Sequence, residues 1–237
     1  MEKIITLAVR HPSLTVAEYV DRYLNRHAVL AKRHRPRMLR YVVSFANVLP
    51  EESGRSAATR RPPYASVTET WYESLQDYTD PARAWDSEAG FQAVQKDRAT
   101  LVTEVHTYHV REVVQKEYTR DWPVGERSPG IKAVYLVKRA NGMTPAQFAD
   151  HWRNNHGPLA LKHHVGAWKY VQNVVLTQLT SGGQAHDGFA ELHFPTARDM
   201  RERSIDSPEG GKIISDDVAK FVGGTQVLDC SEYVLIP

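Results

Sequence analysis

Hydrophobic and polar positions alternate in eight short stretches of the chain, and this period of two predicts β-strands. The stretches are rich in the β-branched and aromatic residues that strands favour. The predicted strands cover residues 4–9, 39–47, 65–72, 102–113, 131–138, 170–176, 188–194 and 226–236. Every apolar run is far shorter than the ~20 residues of a membrane-spanning helix.

Between the strands, apolar residues recur every three or four positions, which predicts amphipathic helices. One helix is predicted to begin after Thr15, which can form a capping box with Glu18, and another after Thr144, with Gln147 at the same spacing. Two further helices are predicted near residues 86–98 and 211–221. The chain therefore gives the order strand, helix, strand, strand, helix, strand twice, which is typical of the ferredoxin-like fold.

The two halves of the chain are also related in sequence. Residues 15–41 align without a gap on residues 144–170, an offset of 129, and nine of the 27 paired positions are identical. We therefore predict an α+β protein of two ferredoxin-like (split βαβ) domains in tandem, residues 1–114 and 131–237, with a linker at 115–130. Because each small open sheet has helices on one side only, the two sheets are expected to bury their free faces against each other.

Composition indicates a globular protein, because 41% of the 237 residues are hydrophobic and 24% are charged. The single cysteine, Cys230, excludes a disulfide framework and a cysteine-rich metal site. The amino terminus lacks the layout of a signal peptide, so we expect a cytoplasmic protein without a membrane partner.

The charge balance argues against nucleic acid as a partner, because 30 Lys and Arg residues stand against 28 Asp and Glu residues. One basic patch departs from this balance. It comprises Lys32, Arg33, His34, Arg35, Arg37 and Arg40. Two interpretations stay open for the patch: a solvated loop after a helix, or a rim that attracts an anionic small molecule.

Two histidines are the main candidates for chemistry. His27 follows Tyr23 by four residues, and His156 follows Trp152 at the same spacing, so each histidine lies on the apolar face near the end of its helix. A helix carboxyl end favours the imidazolium, whereas burial favours the neutral ring. A ring balanced between these effects can accept or donate a proton near neutral pH. The alternative is a histidine that only holds the helix end by hydrogen bonding.

The residues around these histidines carry a family resemblance. The stretch MTPAQFADHWRNNHGPL (residues 143–159) resembles the signature of the EthD family in the dimeric α/β-barrel superfamily, and LTVAEYVDRYLNRHAVL (residues 14–30) resembles a second copy. The resemblance implies sheets that pair as an intramolecular dimeric α/β barrel, with a pocket between sheet and helices in each unit. It also implies cofactor-free enzymes that isomerise lactones or dehydrate and cyclise polyketide-like aromatics. The family's catalytic histidine corresponds to His156, and by the repeat to His27.

The first copy departs from the family pattern, because Ala28 and Val29 replace the Gly-Pro that follows the histidine in the second copy. Two interpretations therefore stay open. Either both pockets are active, or one is active and the other copy serves as a scaffold.

Aromatic residues complete the predicted site. Tyr41 and Tyr170 match across the repeat, and their hydroxyls are candidate acids or oxyanion donors, or else pack under the helix. Tyr23 and Trp152, beside the histidines, are candidate substrate-binding residues. Trp71 and His193 occupy comparable places in the two halves and are predicted to line the pocket walls.

Three functions follow from these observations. The first is a cofactor-independent lyase (dehydratase or cyclase) or isomerase, in which the histidines move protons on a small aromatic or lactone carbonyl compound. The second is a monooxygenase of the same superfamily that oxidises a phenol or anthrone, without a cofactor or with haem. The third is a non-catalytic ligand-binding or stress protein. We expect a small-molecule ligand and no metal, and a homodimer stays open.

Overall fold

The structure, a computed structural model, describes residues 1–55, 62–119 and 121–237. The strands are β1 (Glu2–Arg10), β2 (Arg40–Phe45), β3 (Ser66–Tyr72), β4 (Val102–Lys116), β5 (Ile131–Arg139), β6 (Lys169–Gln178), β7 (Gly188–Phe194) and β8 (Val222–Ile236). The helices are α1 (Val16–Arg22), α2 (Ala28–His34), α3 (Pro50–Ser53), α4 (Gln76–Thr79), α5 (Pro81–Ala84), α6 (Glu88–Ala99), α7 (Pro145–His151), α8 (Gly157–His163), α9 (Ala197–Arg203) and α10 (Pro208–Phe221). Part of the predicted loop between β2 and β3 lies outside the described residues.

The first helix of each half begins where the sequence predicts. The Thr15 hydroxyl accepts a hydrogen bond from the Glu18 backbone at 3.2 Å, while the Glu18 carboxylate accepts one from the Thr15 backbone at 2.7 Å. Thr144 and Gln147 form the same reciprocal pair at 3.2 and 2.9 Å. Each pair satisfies backbone N–H groups that the first helical turn leaves without partners.

The strands form one closed antiparallel barrel in the order β1-β3-β2-β8-β5-β7-β6-β4. The prediction of two tandem ferredoxin-like domains, each with its own open sheet, is therefore wrong. β4 pairs first with β1 and then with β6, and β8 pairs first with β5 and then with β2. These two strands, each of 15 residues, join the halves by hydrogen bonds at both seams and leave the barrel closed.

The lengths of β4 and β8 explain why the alternation of residues did not predict this closure. The sequence pattern ends the first of these strands at residue 113 and starts the second at 226, whereas they run to Lys116 and from Val222. Gly223 and Gly224, which are typical of a turn, lie inside β8. The boundaries 1–114, 115–130 and 131–237 stay a prediction.

The apolar core has an inner and an outer layer. Inside the barrel, one cluster draws residues from strands of both halves, including Leu7, Tyr108, Leu136 and Phe189. Outside the barrel, further clusters join the strands to the helices of each half. The space between helices and barrel is where both cavities described below are found.

The barrel interior also contains a layer of buried charges. The Lys3 ammonium lies 2.8 Å from carboxylate oxygens of Glu69, Glu112 and Glu191. The Lys132 ammonium contacts Glu69 and lies 2.9 Å from Glu191 and 3.0 Å from Glu232. Burial would raise the pKa of the Glu232 carboxyl, but Lys132 and its other cationic neighbours lower it to about 2.

Candidate functional site

Each half has a long helix that is interrupted at the same place. Between α1 and α2 lies a π-helical segment, Tyr23–His27, in which the Ala28 backbone N–H bonds the Tyr23 carbonyl. Between α7 and α8 lies its counterpart, Trp152–His156, in which the Gly157 N–H bonds the Trp152 carbonyl. Such segments are rare and occur often at functional sites. Both predicted catalytic histidines are the last residues of these segments.

The first cavity lies between the helices of the first half and the barrel and measures about 120 Å³. His27, Tyr23 and Tyr41 line it. Two arginines, Arg35 and Arg98, also line it, together with four threonines, Thr6, Thr68, Thr70 and Thr107. The first cavity is therefore lined by cationic and hydroxyl groups as well as by apolar residues.

The second cavity occupies the equivalent place in the second half and measures about 210 Å³. His156, Trp152 and Tyr170 line it beside apolar residues such as Leu192 and Phe221. Burial lowers the pKa of His156, an effect that Asp217 partly offsets. This second cavity is therefore mainly apolar, with a histidine that tends to be neutral.

Each cavity histidine is bonded to a buried aspartate. Nδ1 of His27 lies 3.0 Å from Oδ2 of Asp97, and Nδ1 of His156 lies 3.0 Å from Oδ2 of Asp217. Because a carboxylate only accepts hydrogen bonds, Nδ1 carries the proton in both rings. In the neutral ring Nε2 is then the basic nitrogen, and it has no hydrogen-bond partner in the described part of the chain.

Neither aspartate was predicted from the sequence, although the sequence contains a signal for them. Asp97 and Asp217 lie on α6 and α10, where the repeat continues with an offset of 120 instead of 129. Four residues repeat with the same spacing in both halves: Asp86, Ser87, Gly90 and Asp97 recur as Asp206, Ser207, Gly210 and Asp217. The change of offset hides this second block from an alignment of the first helices alone.

The two predicted tyrosines lie beside the histidine pockets and differ in their bonding. The Tyr41 hydroxyl donates to the Tyr23 hydroxyl at 3.0 Å. The Tyr170 hydroxyl accepts from Nε1 of Trp152 at 3.0 Å and from Nε2 of Gln172 at 2.9 Å, so its own proton remains available. Burial raises the pKa of Tyr170 to about 12 and that of Tyr41 well above its usual value. Both phenols are therefore neutral near pH 7, and of the two it is Tyr170 whose proton is not already donated.

Trp71 and His193 lie elsewhere, in the charged layer inside the barrel. Nε1 of Trp71 donates to Glu112 at 3.0 Å, and the Lys3 ammonium lies 4.6 Å from the Trp71 ring centre. Nε2 of His193 lies 2.9 Å from the Pro129 carbonyl oxygen. The residues lining the two cavities do not include either side chain.

The sequence matches the EthD domain twice, over residues 11–104 and 140–225, which together cover most of the chain. The chain belongs to the EthD family. Each matched region of this EthD protein contains one π segment, one cavity histidine and its aspartate partner. No curated protein matches the sequence.

Solved structures resemble the EthD protein in fold over nearly its whole length. An anthrone oxidase-like protein is 10% identical, with a TM-score of 0.60, over 98% of this chain and 90% of that one. A protein of Lactobacillus acidophilus NCFM, provisionally assigned as a monooxygenase, is 8% identical with a TM-score of 0.55 over 98% and 93%. A mutant chlorite dismutase of Candidatus Nitrospira defluvii is 10% identical with a TM-score of 0.53 over 99% and 91%. At identities of 8–10%, these TM-scores show a shared fold and no more.

The described ranges of the EthD protein contain neither a group of metal-binding side chains nor a membrane-spanning helix. No three or more His, Cys, Asp and Glu side chains there are grouped so that they could bind a metal ion. None of the helices in those ranges combines the length and hydrophobicity of a membrane span. Histidines and tyrosines line both cavities, and arginines line the first.

Proposed function

We propose that this EthD protein is an enzyme that uses its histidines as general acid–base catalysts on a small carbonyl compound, without a cofactor. The observation that carries the proposal is the His–Asp pair at each cavity, His27 with Asp97 and His156 with Asp217. A carboxylate on Nδ1 fixes the tautomer and stabilises the imidazolium that forms when Nε2 takes a proton. A histidine that only held a helix end would not need to line a cavity.

The proposed reaction begins with the removal of a proton from the carbon beside the substrate carbonyl. Nε2 of His156 accepts this proton, and the electron pair moves to the carbonyl oxygen as an enolate. The Tyr170 hydroxyl donates a hydrogen bond to that oxygen, because its other contacts leave its proton free. The imidazolium then returns the proton, either to another carbon or to a hydroxyl group that leaves as water.

The two fates of the proton correspond to two classes of enzyme. Return of the proton to carbon gives an isomerase, whereas loss of water gives a lyase, with ring closure where a second carbonyl is in reach. We favour the lyase, a dehydratase or cyclase, and both classes need only the base and the donor that the second cavity provides.

A monooxygenase is the second candidate. The second cavity is lined by Trp152, Tyr170 and Phe221, which suit an electron-rich phenol or anthrone. The resemblance in fold to an anthrone oxidase-like protein supports the same idea. This candidate requires molecular oxygen as a reactant, whereas the lyase and isomerase do not.

To test the proposal, the protein is incubated with hydroxylated aromatic ketones and lactones, and the masses of the products are measured by mass spectrometry. A product of unchanged mass, or one lighter by a molecule of water, supports the isomerase or lyase. A product heavier by oxygen, formed only in air, supports the monooxygenase instead. Binding of the compounds without any product contradicts both and favours a ligand-binding protein.

The pH dependence of the second cavity follows from the buried position of His156. Burial lowers the pKa of His156 from its ordinary value of 6.5, so the neutral ring persists to lower pH than in an ordinary histidine. In a His27→Ala background, we expect kcat/KM to fall on acidification, with the midpoint of this acid limb below pH 6.5. The charged and titratable neighbours are Asp217, His151 and His164.

The matched variant for this profile is Asp217→Asn in the same background. Asp217 is the neighbour that favours the imidazolium, so its removal should shift the acid limb to still lower pH. If the acid limb of the kcat/KM profile of the parent has its midpoint above pH 6.5, His156 is not the base. The same holds if Asp217→Asn moves this limb to higher pH.

A further inference from the structure

The two cavities are built from equivalent residues, so their differences are informative. Four pairs at matching positions line both cavities: Tyr23 and Trp152, His27 and His156, Ala31 and Ala160, and Tyr41 and Tyr170. Two other equivalent pairs change chemistry. Arg35 of the first cavity corresponds to His164 of the second, and Arg98 corresponds to Val218.

The guanidinium of Arg35 is held in a defined position. It stacks on the rings of Tyr78 and Trp85, with its central carbon 4.8 and 4.2 Å from their centres. Nη1 donates a hydrogen bond to the Tyr72 hydroxyl at 3.1 Å. These contacts immobilise the fork of N–H donors but supply no negative charge.

Arg98 is the second arginine that lines this cavity, and the residue is also exposed to solvent. The positive charges of Arg35 and Arg98 repel each other. Neither forms an ion pair with a carboxylate in residues 1–55, 62–119 and 121–237, and no Asp or Glu in those ranges lines the cavity. Two unpaired guanidinium groups facing one cavity are stabilised when an anion lies between them.

The carboxylates near this cavity are already engaged by other cations. Asp97 contacts His27 and Arg26. Asp86 contacts His34, and Asp77 contacts Arg83 and Arg37. The positive charge of the cavity is therefore available to a ligand.

We propose that the first cavity selects a small cyclic compound that carries a carboxylate, which Arg35 and Arg98 bind, whereas the second cavity takes a neutral compound. This deepens the acid–base function proposed above and rests on it for the role of His27. The polar threonines of the first cavity agree with such a ligand, and the equivalent positions of Thr6, Thr68 and Thr70 in the second cavity are Tyr135, Ala190 and Leu192. The basic patch of the sequence thus contributes one residue, Arg35, to a binding site.

The test measures the affinity of two probes of similar size and shape, 4-hydroxybenzoate and 4-hydroxybenzamide, by calorimetry at physiological ionic strength. We expect the full-length protein to bind the carboxylate at the first cavity and the amide at the second. Arg98→Val, which gives the first cavity the residue of the second, should weaken carboxylate binding about tenfold and change amide binding little. Arg98→Lys should recover part of the loss, because the charge returns without the fork.

Lys96→Val is the matched control, because it removes the same charge from the same helix without touching the cavity lining. Its carboxylate affinity should stay close to that of the parent, since exposed distant charges are screened. Equal losses of carboxylate affinity in Arg98→Val and Lys96→Val, a loss of amide affinity in Arg98→Val as large as that of the carboxylate, or no binding of the carboxylate at millimolar concentration overturns the proposal. Binding is read without turnover, so a failure of the proposed catalysis leaves this result independent.

Discussion

Replacement of both cavity histidines, His27→Ala with His156→Ala, is expected to lower kcat/KM by about 10²–10⁴-fold, the usual contribution of a general acid or base. Both rings contact a buried aspartate through Nδ1, which leaves Nε2 as the basic nitrogen of each ring. Alanine removes the proton acceptor and leaves the tyrosine donors in place. The measurement is steady-state turnover of whichever compound the product screen identifies.

Two further variants separate catalysis from folding. Asparagine at both positions can still donate to Asp97 and Asp217 from its side-chain amide but has no basic nitrogen, so His27→Asn with His156→Asn should be stable and inactive. His34 and His163 form matching pairs with Asp86 and Asp206, each at 3.0 Å, and do not line the cavities. His34→Ala with His163→Ala should therefore keep turnover. Loss of activity there, or full activity in the asparagine variant, contradicts the mechanism.

The sequence predicts the cavity histidines because both lie on one helix face at a fixed distance from an aromatic residue. Their aspartate partners were not predicted, because they come from helices about sixty to seventy residues away along the chain. The contact between His27 and Asp97 depends on how α6 packs against the π segment. Such packing is set by tertiary contacts that helical periodicity does not report.

The positions of Trp71 and His193 show a second limit of prediction from sequence. Both stand on strands, where neighbouring side chains point to opposite faces, so each residue could face either the helices or the barrel interior. On β3, Thr68 and Thr70 line the first cavity, and Trp71 lies with the inner charges beside Lys3. Because the layer of charges combines six residues from both halves, its presence was not visible from either half alone.

The closure of the barrel was likewise not visible from the sequence pattern of either half alone. The alternating pattern predicts which residues form strands, but it does not say which strand edges meet. Closure depends on the last parts of β4 and β8, which leave their own half and pair with β6 and β2. An unpaired edge would expose a row of backbone N–H and C=O groups, so each half is completed by a strand of the other.

Lys132→Met removes one of the buried charges inside the barrel, and we expect it to have the largest effect on stability. The Lys132 ammonium is buried and contacts Glu69, Glu191 and Glu232. Methionine fills similar space but leaves these carboxylates without one of their cations. Breaking a buried ion pair from one side costs about 3–5 kcal/mol, so the free energy of unfolding should fall by that amount and Tm by about 10 °C. Lys138→Met, on an exposed site of the same strand, should change stability by less than about 0.5 kcal/mol.

The difference between parent and Lys132→Met should shrink as the pH falls. In the parent, the pKa of Glu232 is lowered to about 2, mainly by Lys132 against the effect of burial, so its stabilising contribution is present above pH 4.5 and is lost on acidification towards pH 2. In the variant the same carboxyl is buried with less positive charge, its pKa rises, and protonation relieves the destabilisation. Urea unfolding at pH 7 and at pH 4 measures both trends. An equal or larger gap at the lower pH would show that Lys132 stabilises the barrel by packing and not by neutralising the glutamates.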